Sequence, residues 1–189
     1  MNMNRIKKIL SMVPQELKDL ERWGTSLNRK DPKIPLNSKM DSEYFYEAKD
    51  LIELSEDKVF SCTVHHIGIS ITDNDPYVII NMDRVNLDSI ENTIGPILYN
   101  LLVSHPTYVE VSFSGSGLTA IYKLPETQQK EHFPYVVNPS FGEREYLSTL
   151  KVRKTYQNIT GNPASVSSNE IGIVSCSDLS TCFSTGAKS

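Results

Sequence analysis

The fold is decided by two runs, YVIINMD at residues 77–83 and YVEVSFSGSGLTAIY at residues 108–122. β-branched and aromatic residues dominate both runs and short polar breaks bound them, which predicts three strands. Because side chains two residues apart on a strand share a face, Asn81 and Asp83 are expected to point the same way at the end of a buried strand. Oxygen ligands paired in this way can hold Mg²⁺ for phosphoryl transfer. The same pattern also fits a strand that ends in a polar turn.

Length and composition are those of a soluble globular chain. Its 189 residues predict one domain with a sizeable core, and 39% apolar and 22% charged residues are ordinary values. The net charge of −4 excludes a polycation, so any nucleic-acid contact must come from a local basic patch. Three cysteines without metal-type spacing argue against a disulfide framework. Neither a signal peptide nor a membrane-length apolar run is present, which predicts a cytoplasmic protein with no membrane partner.

The segments around the central runs predict further elements. Gly95-Pro96 is expected to kink or split one helix, which leads from the first strand into a crossover and packs on one face of the sheet. Adjacent His65 and His66 would face opposite ways on a strand, which disfavours a shared metal. Trp23 is expected to be a core anchor. The predicted helices are 4–10, 14–22, 43–54 (capped by Asp41-Ser42) and 87–103. Residues 59–71 are predicted to be strand, either continuous or broken around residues 65–68.

The turn at residues 114–117 carries chemistry of its own. Its two glycines permit φ > 0 and a close backbone approach, and such a turn can offer N–H groups to a phosphate. A Ser/Gly sequence also fits a turn with no other role. Residues 164–189 are rich in serine and contain one strand-like run at 171–176. They are expected either to complete a sheet edge or to form a loose tail, separate from a domain at residues 1–163.

Taken in order, these segments resemble the bifunctional primase–polymerase domain of phage and plasmid replication proteins, a branch of the archaeo-eukaryotic primase superfamily. The resemblance covers roughly residues 12 to 163, and the order and spacing of its fragments make the set specific. The matching pairs are VPQELK…RW (13–23) with IPxEL…RW, KIPLN (33–37) with KxPxN, VIINMD (78–83) with hhDhD, EVSFSGSGLT (110–119) with ExSpSGxGhH, and Arg153…TGN (160–162) with R…TGN.

Two positions depart from the family pattern. Asn81 stands where the family has its first metal-binding aspartate, and Thr119 stands where it has a nucleotide-contacting histidine. A neutral amide removes a charge on which Mg²⁺ relies, and threonine lacks the ring nitrogens that histidine offers a triphosphate. Asp83 is retained. Glu145 fits the third acidic position best, with Glu143 as the alternative.

The resemblance implies an α+β fold. It would have a mixed or antiparallel central sheet with helices on one face, an RRM-like core, and a small N-terminal α/β module. It also implies two-metal nucleotidyl transfer, with single-stranded DNA and nucleoside triphosphates as partners and Mg²⁺ or Mn²⁺ bound weakly or not at all. The implied catalytic residues are Asp83, Asn81 and Glu145, of which Asp83 and Asn81 would face the metal. The implied substrate-binding residues are Ser114, Gly115, Ser116, Gly117, Thr119, Arg153 and Lys154.

With both departures included, the resemblance implies a catalytically impaired replication protein of a phage or mobile element. Such a protein would act by binding DNA, a nucleotide, or a replication or host protein. The alternative is an active primase or polymerase in which Asn81 is an altered or engineered ligand. The second departure, at Thr119, favours natural divergence, because a laboratory variant more often changes one site.

Overall fold

The computed structural model describes residues 3–26, 46–57, 64, 66–126, 140–141, 144–145, 148–151, 155–164, 172–177 and 179. The chain is α+β, as expected, with small antiparallel sheets and short helices. It forms two compact units, Met1–Thr72 with Lys154–Asn162, and Asp73–Arg153 with Pro163–Ser189. Across the described ranges, no helix has the length and apolarity needed to cross a bilayer.

The helices and strands follow one another along the chain in a fixed order. They are α1 (Met3–Met12), α2 (Gln15–Lys18), β1 (Trp23–Ser26), α3 (Ala48–Leu54), β2 (His66–Ile71), β3 (Tyr77–Asp83), α4 (Ile90–Ile94), α5 (Pro96–Ser104), β4 (Tyr108–Val111), β5 (Gly117–Lys123), β6 (Ser140–Phe141), β7 (Arg144–Glu145), β8 (Ser148–Lys151) and β9 (Thr155–Ile159).

The first unit is built on a three-stranded antiparallel sheet in the order β1-β2-β9. Trp23 lies opposite Ile69, and Ile67 lies opposite Ile159, so these apolar side chains share one face of the sheet. Trp23 is fully buried and its indole N–H donates to the Leu17 carbonyl over 3.1 Å. The expectation that Trp23 anchors the core is confirmed, although it opens a strand and does not end a helix.

The predicted start of the third helix is wrong. Tyr46 forms an antiparallel bridge with Trp23, and their N–H and carbonyl groups exchange hydrogen bonds of 2.9 and 2.8 Å. A residue paired in this way cannot also belong to a helix, so α3 begins at Ala48. The Asp50 carboxylate accepts a 3.2 Å hydrogen bond from the Glu47 N–H at the helix start. The predicted caps, Asp41 and Ser42, lie outside the described residues.

The second unit contains a four-stranded antiparallel sheet in the order β4-β5-β3-β8. α4 and α5 connect β3 to β4, and Gly95 splits them as predicted. β5 lies between β3 and β4, which are therefore parallel to each other. Both helices pack on one face of this sheet. The buried cluster there includes Val78, Ile80, Met82, Ile90, Ile94, Leu98, Leu101, Leu102, Val109, Leu118, Ala120 and Tyr122.

Described parts of the C-terminal region pair with this sheet. The Ala164 N–H donates to the Val109 carbonyl over 2.9 Å, at the edge strand β4. Farther along, Ser175 forms a parallel bridge with Lys123, whose carbonyl accepts a 3.0 Å hydrogen bond from the Cys176 N–H. Cys176 and Leu179 are fully buried. At these positions the chain therefore adds backbone pairing and apolar contacts to the unit.

Three glycines allow a graded test of local packing. Gly161 has φ +58°, and a Cβ there would lie 2.6 Å from the Ile9 Cα. Gly115 has φ +75° in open space, and a Cβ at Gly172 would meet nothing within 4 Å. We expect alanine to lower the free energy of unfolding by about 3 kcal/mol at Gly161, about 1 at Gly115 and under about 0.5 at Gly172.

Urea unfolding of the three variants beside the wild type checks this order. An alanine at Gly161 that is no worse than the alanine at Gly115 would show that α1 does not approach residue 161 as closely as the structure has it.

Candidate functional site

The second sheet carries a row of polar side chains on the face opposite its helices. Asn81 lies directly opposite Thr119, and Thr119 lies directly opposite Glu110 on the next strand. Direct partners in an antiparallel pair share a face, as do residues two apart, so Asp83 belongs to the same face. On the other side of β3, Asn81 is the register partner of Thr149. We call Asn81, Asp83, Glu110 and Thr119 the polar row.

Asn81 and Thr119 are hydrogen-bonded to each other. The Thr119 Oγ1 donates to the Asn81 Oδ1 over 2.9 Å. Thr119 is fully buried and Asn81 is half-buried. The pair stands at the two positions where the sequence departs from the family pattern. The amide oxygen of Asn81 therefore accepts a hydrogen bond from the neighbouring strand.

Asp83 ends the central strand and is exposed. It lies opposite Gly117, the first residue of β5, so the residue lies beside the 112–117 turn. Within the described ranges, no three His, Cys, Asp or Glu side chains lie close enough together to hold a metal ion. Asp83 and Asn81 bring a carboxylate and an amide oxygen to the end of β3, where they could contact a cation.

Glu110 is a member of the row that the sequence reasoning did not single out. Its side chain is fully buried, and its Oε2 accepts a 2.6 Å hydrogen bond from the Tyr108 hydroxyl. A buried carboxylate is tolerated only where donors compensate for lost water, so Tyr108 is part of what keeps Glu110 in place. The signal in the sequence was a glutamate in phase with Tyr108, between Val109 and Val111 in an otherwise apolar strand.

The phenol of Tyr108 is a permanent donor to Glu110. Burial, with the charge of the Glu110 carboxylate and the hydrogen bond to it, raises the pKa of Tyr108 well above its usual value. The proton therefore stays on the phenol oxygen at neutral pH. Tyr108 thus supplies a fixed hydrogen-bond donor at the buried end of the polar row, while Asp83 lies at its exposed end.

The turn between β4 and β5 places three serine hydroxyls next to one another. Ser112 and Ser114 lie 3.0 Å apart through their Oγ atoms, and Ser114 and Ser116 lie 3.2 Å apart. Gly115 closes the turn with φ +75° by donating to the Ser112 carbonyl over 2.9 Å. A Cβ at Gly117 would lie 2.7 Å from the Met82 carbonyl oxygen, so only glycine fits there. The turn is exposed and hydroxyl-rich, as a phosphate-contacting turn would be.

Of the remaining predicted residues, the structure describes only the backbone of Glu145. Glu145 belongs to β7, which pairs with β6 and not with the four-stranded sheet, and its side chain lies outside the described residues. Glu143, Arg153 and Lys154 also lie outside the described residues. Their predicted roles at the metal and the phosphates stay predictions.

Comparison with known proteins adds no assignment. No protein-family model matches the chain, and no curated protein matches its sequence.

Two tyrosines of similar burial test the hydrogen bond to Glu110. Tyr108 is 4% exposed and bonded to the Glu110 carboxylate, whereas Tyr156 is 6% exposed and its hydroxyl has no partner within the described part of the chain. We expect Tyr108→Phe to lower the free energy of unfolding by about 2 kcal/mol, because the carboxylate loses a donor. Tyr156→Phe should leave it unchanged or raise it. Equal effects in urea unfolding would contradict this account.

The same two variants test how stability changes at alkaline pH. Burial raises the pKa of Tyr156, and burial together with Glu110 raises that of Tyr108, so both folded values exceed the unfolded value of about 10. The unfolded state then binds fewer protons above that pH, and stability falls as pH rises through this range. Each phenylalanine variant should show a shallower fall than the wild type.

Proposed function

We propose that this chain is a primase–polymerase-like protein that binds nucleotide or single-stranded DNA and performs little or no synthesis. In this proposal it serves the replication of a phage or other mobile element. The proposal rests on the resemblance of its ordered sequence segments, on the strand order of the second unit, and on the chemistry of the polar row. The chemistry of the polar row is the basis for expecting little or no synthesis.

The strand order supports the fold part of the proposal. β3 and β4 are joined through α4 and α5, β5 inserts between them, and β8 pairs with the free side of β3. This is the order of a split βαβ unit, and the described helices α4 and α5 pack on one face of it. An RRM-like core has the same order. Asn81 and Asp83 then lie on the face of the central strand opposite these helices, and the resemblance puts the metal ligands at these two positions.

The hydrogen bond between Thr119 and Asn81 is the observation that argues against efficient synthesis. Two-metal catalysis needs negative ligands to hold both ions and to offset charge developing at phosphorus. At the first ligand position this chain has a neutral amide whose oxygen accepts a 2.9 Å hydrogen bond. At the histidine position it has the threonine that donates that bond. Because catalytic groups that act as a unit are not additive, these two changes together are expected to cost most of the activity.

Binding does not require what catalysis has lost. Residues 113–116 of the turn remain exposed at one end of the sheet, where the Ser114 and Ser116 hydroxyl groups can donate to a phosphate. The apolar face of the sheet, which includes Val78, Ile80 and Val109, does not contain the two positions that depart from the family pattern. We therefore propose binding as the function that this chain retains, with a protein partner as a competing role.

Primer extension with a single-stranded template, labelled nucleotides and Mn²⁺ tests the proposal. We expect incorporation at the level of the Asp83→Ala control, while fluorescence anisotropy detects binding of the template or of a labelled nucleotide. Robust synthesis that disappears in Asp83→Ala would establish the alternative, an active polymerase with an altered ligand. If the chain shows no synthesis and no binding, the proposal is contradicted, and a protein partner is the remaining role.

A further inference from the structure

Arg84 has a backbone conformation that arginine rarely adopts. Its φ is +55°, and within the described ranges it is the one residue other than glycine with positive φ. That conformation is disfavoured for residues with a Cβ, and glycine or asparagine usually occupies it. Strained backbone of this kind concentrates at functional sites. Arg84 follows Asp83 directly, at the exposed end of the polar row.

The neighbours of Arg84 impose this conformation. Before it, Asp83 completes β3 opposite Gly117. After it, the Val85 N–H donates to the Ser116 carbonyl over 2.8 Å, and the Val85 side chain is buried in the core. The chain must therefore turn within one residue, and glycine would make that turn with less strain. The fold explains the turn but does not explain the arginine.

The surroundings of Arg84 indicate what its side chain serves. The residue is exposed, and it forms no ion pair with any residue in the described part of the chain. The backbone bond from Val85 to Ser116 holds it next to the turn whose three hydroxyls, at Ser112, Ser114 and Ser116, lie side by side. A planar guanidinium with five donors binds phosphate oxygens in a forked geometry, and hydroxyls add further donors.

We propose that Arg84 and the 112–117 turn form a phosphate-binding site, with Arg84 as its cation. The ligand is a phosphate-bearing anion, either the polyphosphate of a nucleotide or the backbone of single-stranded DNA. This deepens the proposed function and rests on it. The neighbouring Asp83 carboxylate opposes an anion, which makes the affinity modest and dependent on salt. In this proposal the strained backbone at residue 84 lowers the stability of the fold, and the arginine supplies a positive charge to the site.

Replacing Arg84 with glycine tests phosphate binding and stability separately, because the two are expected to change in opposite directions. We expect Arg84→Gly to raise Tm by about 2–4 °C, because the strain is relieved. It should weaken inorganic tripolyphosphate binding by about tenfold in metal-free buffer at low salt, because the charge-assisted bonds are lost. The tripolyphosphate affinity of Arg84→Lys should lie between those of the wild type and Arg84→Gly. The control Arg5→Gln, which removes an exposed charge from α1, should bind tripolyphosphate within about twofold of the wild type. Unchanged binding in Arg84→Gly, or a lowered Tm, would overturn the proposal.

Two further titrations identify the source of the phosphate and keep this test apart from the proposed function. If Arg84→Gly weakens binding of a nucleoside triphosphate but not of an oligonucleotide without terminal phosphates, the ligand of the site is the polyphosphate of a nucleotide. If it weakens only oligonucleotide binding, the ligand is the DNA backbone. If the wild type binds either ligand and Arg84→Gly binds both equally well, the site is wrong and the proposed function stands. If the wild type binds only tripolyphosphate, through Arg84, the site stands and the proposed function fails.

Discussion

The register between β3 and β5 is the constraint on which the second unit depends. It pairs Ile80 with Ala120 and Asn81 with Thr119, so that alternate residues face the helices and the polar row. A slip by one residue would turn Val78, Ile80 and Met82 away from the core and bring polar side chains into it. The apolar burial on the helical side thus fixes where each functional side chain lies on the other side.

The polar row shows how this face is stabilised by hydrogen bonds within the chain. A carboxylate at position 81 would stand on the same face as Asp83 and Glu110, and their mutual repulsion would need bound cations to offset it. With asparagine there, Thr119 satisfies the amide oxygen, and Tyr108 satisfies part of the buried Glu110 carboxylate.

Local patterns in the sequence predict some of these features and miss others. Runs of β-branched and aromatic residues bounded by polar breaks predict β3, β4 and β5, and Gly95-Pro96 predicts the split helix, because both signals depend on neighbouring residues. β1 and the bridge from Trp23 to Tyr46 were not predicted, since they depend on pairing between distant segments. The positive φ of Arg84 follows from the Val85–Ser116 hydrogen bond, and no property of arginine signals it. The hairpin predicts Thr119 opposite Glu110, and period two puts Tyr108 on the face of Glu110, whereas the pairing of Asn81 with Thr119 joins two strands that are distant in sequence.

A calorimetric titration of Mn²⁺ into the wild type, Asn81→Asp and Asn81→Asp/Asp83→Ala tests the central claim most directly. If Asn81 occupies a ligand position in an otherwise retained site, the aspartate should tighten Mn²⁺ binding by at least about tenfold, since it adds a charged oxygen ligand. Removing Asp83 from that variant should abolish the gain, because both oxygens belong to one site. Equal affinity in the wild type and Asn81→Asp would contradict the account and show that this face of the sheet does not retain the geometry of a metal site.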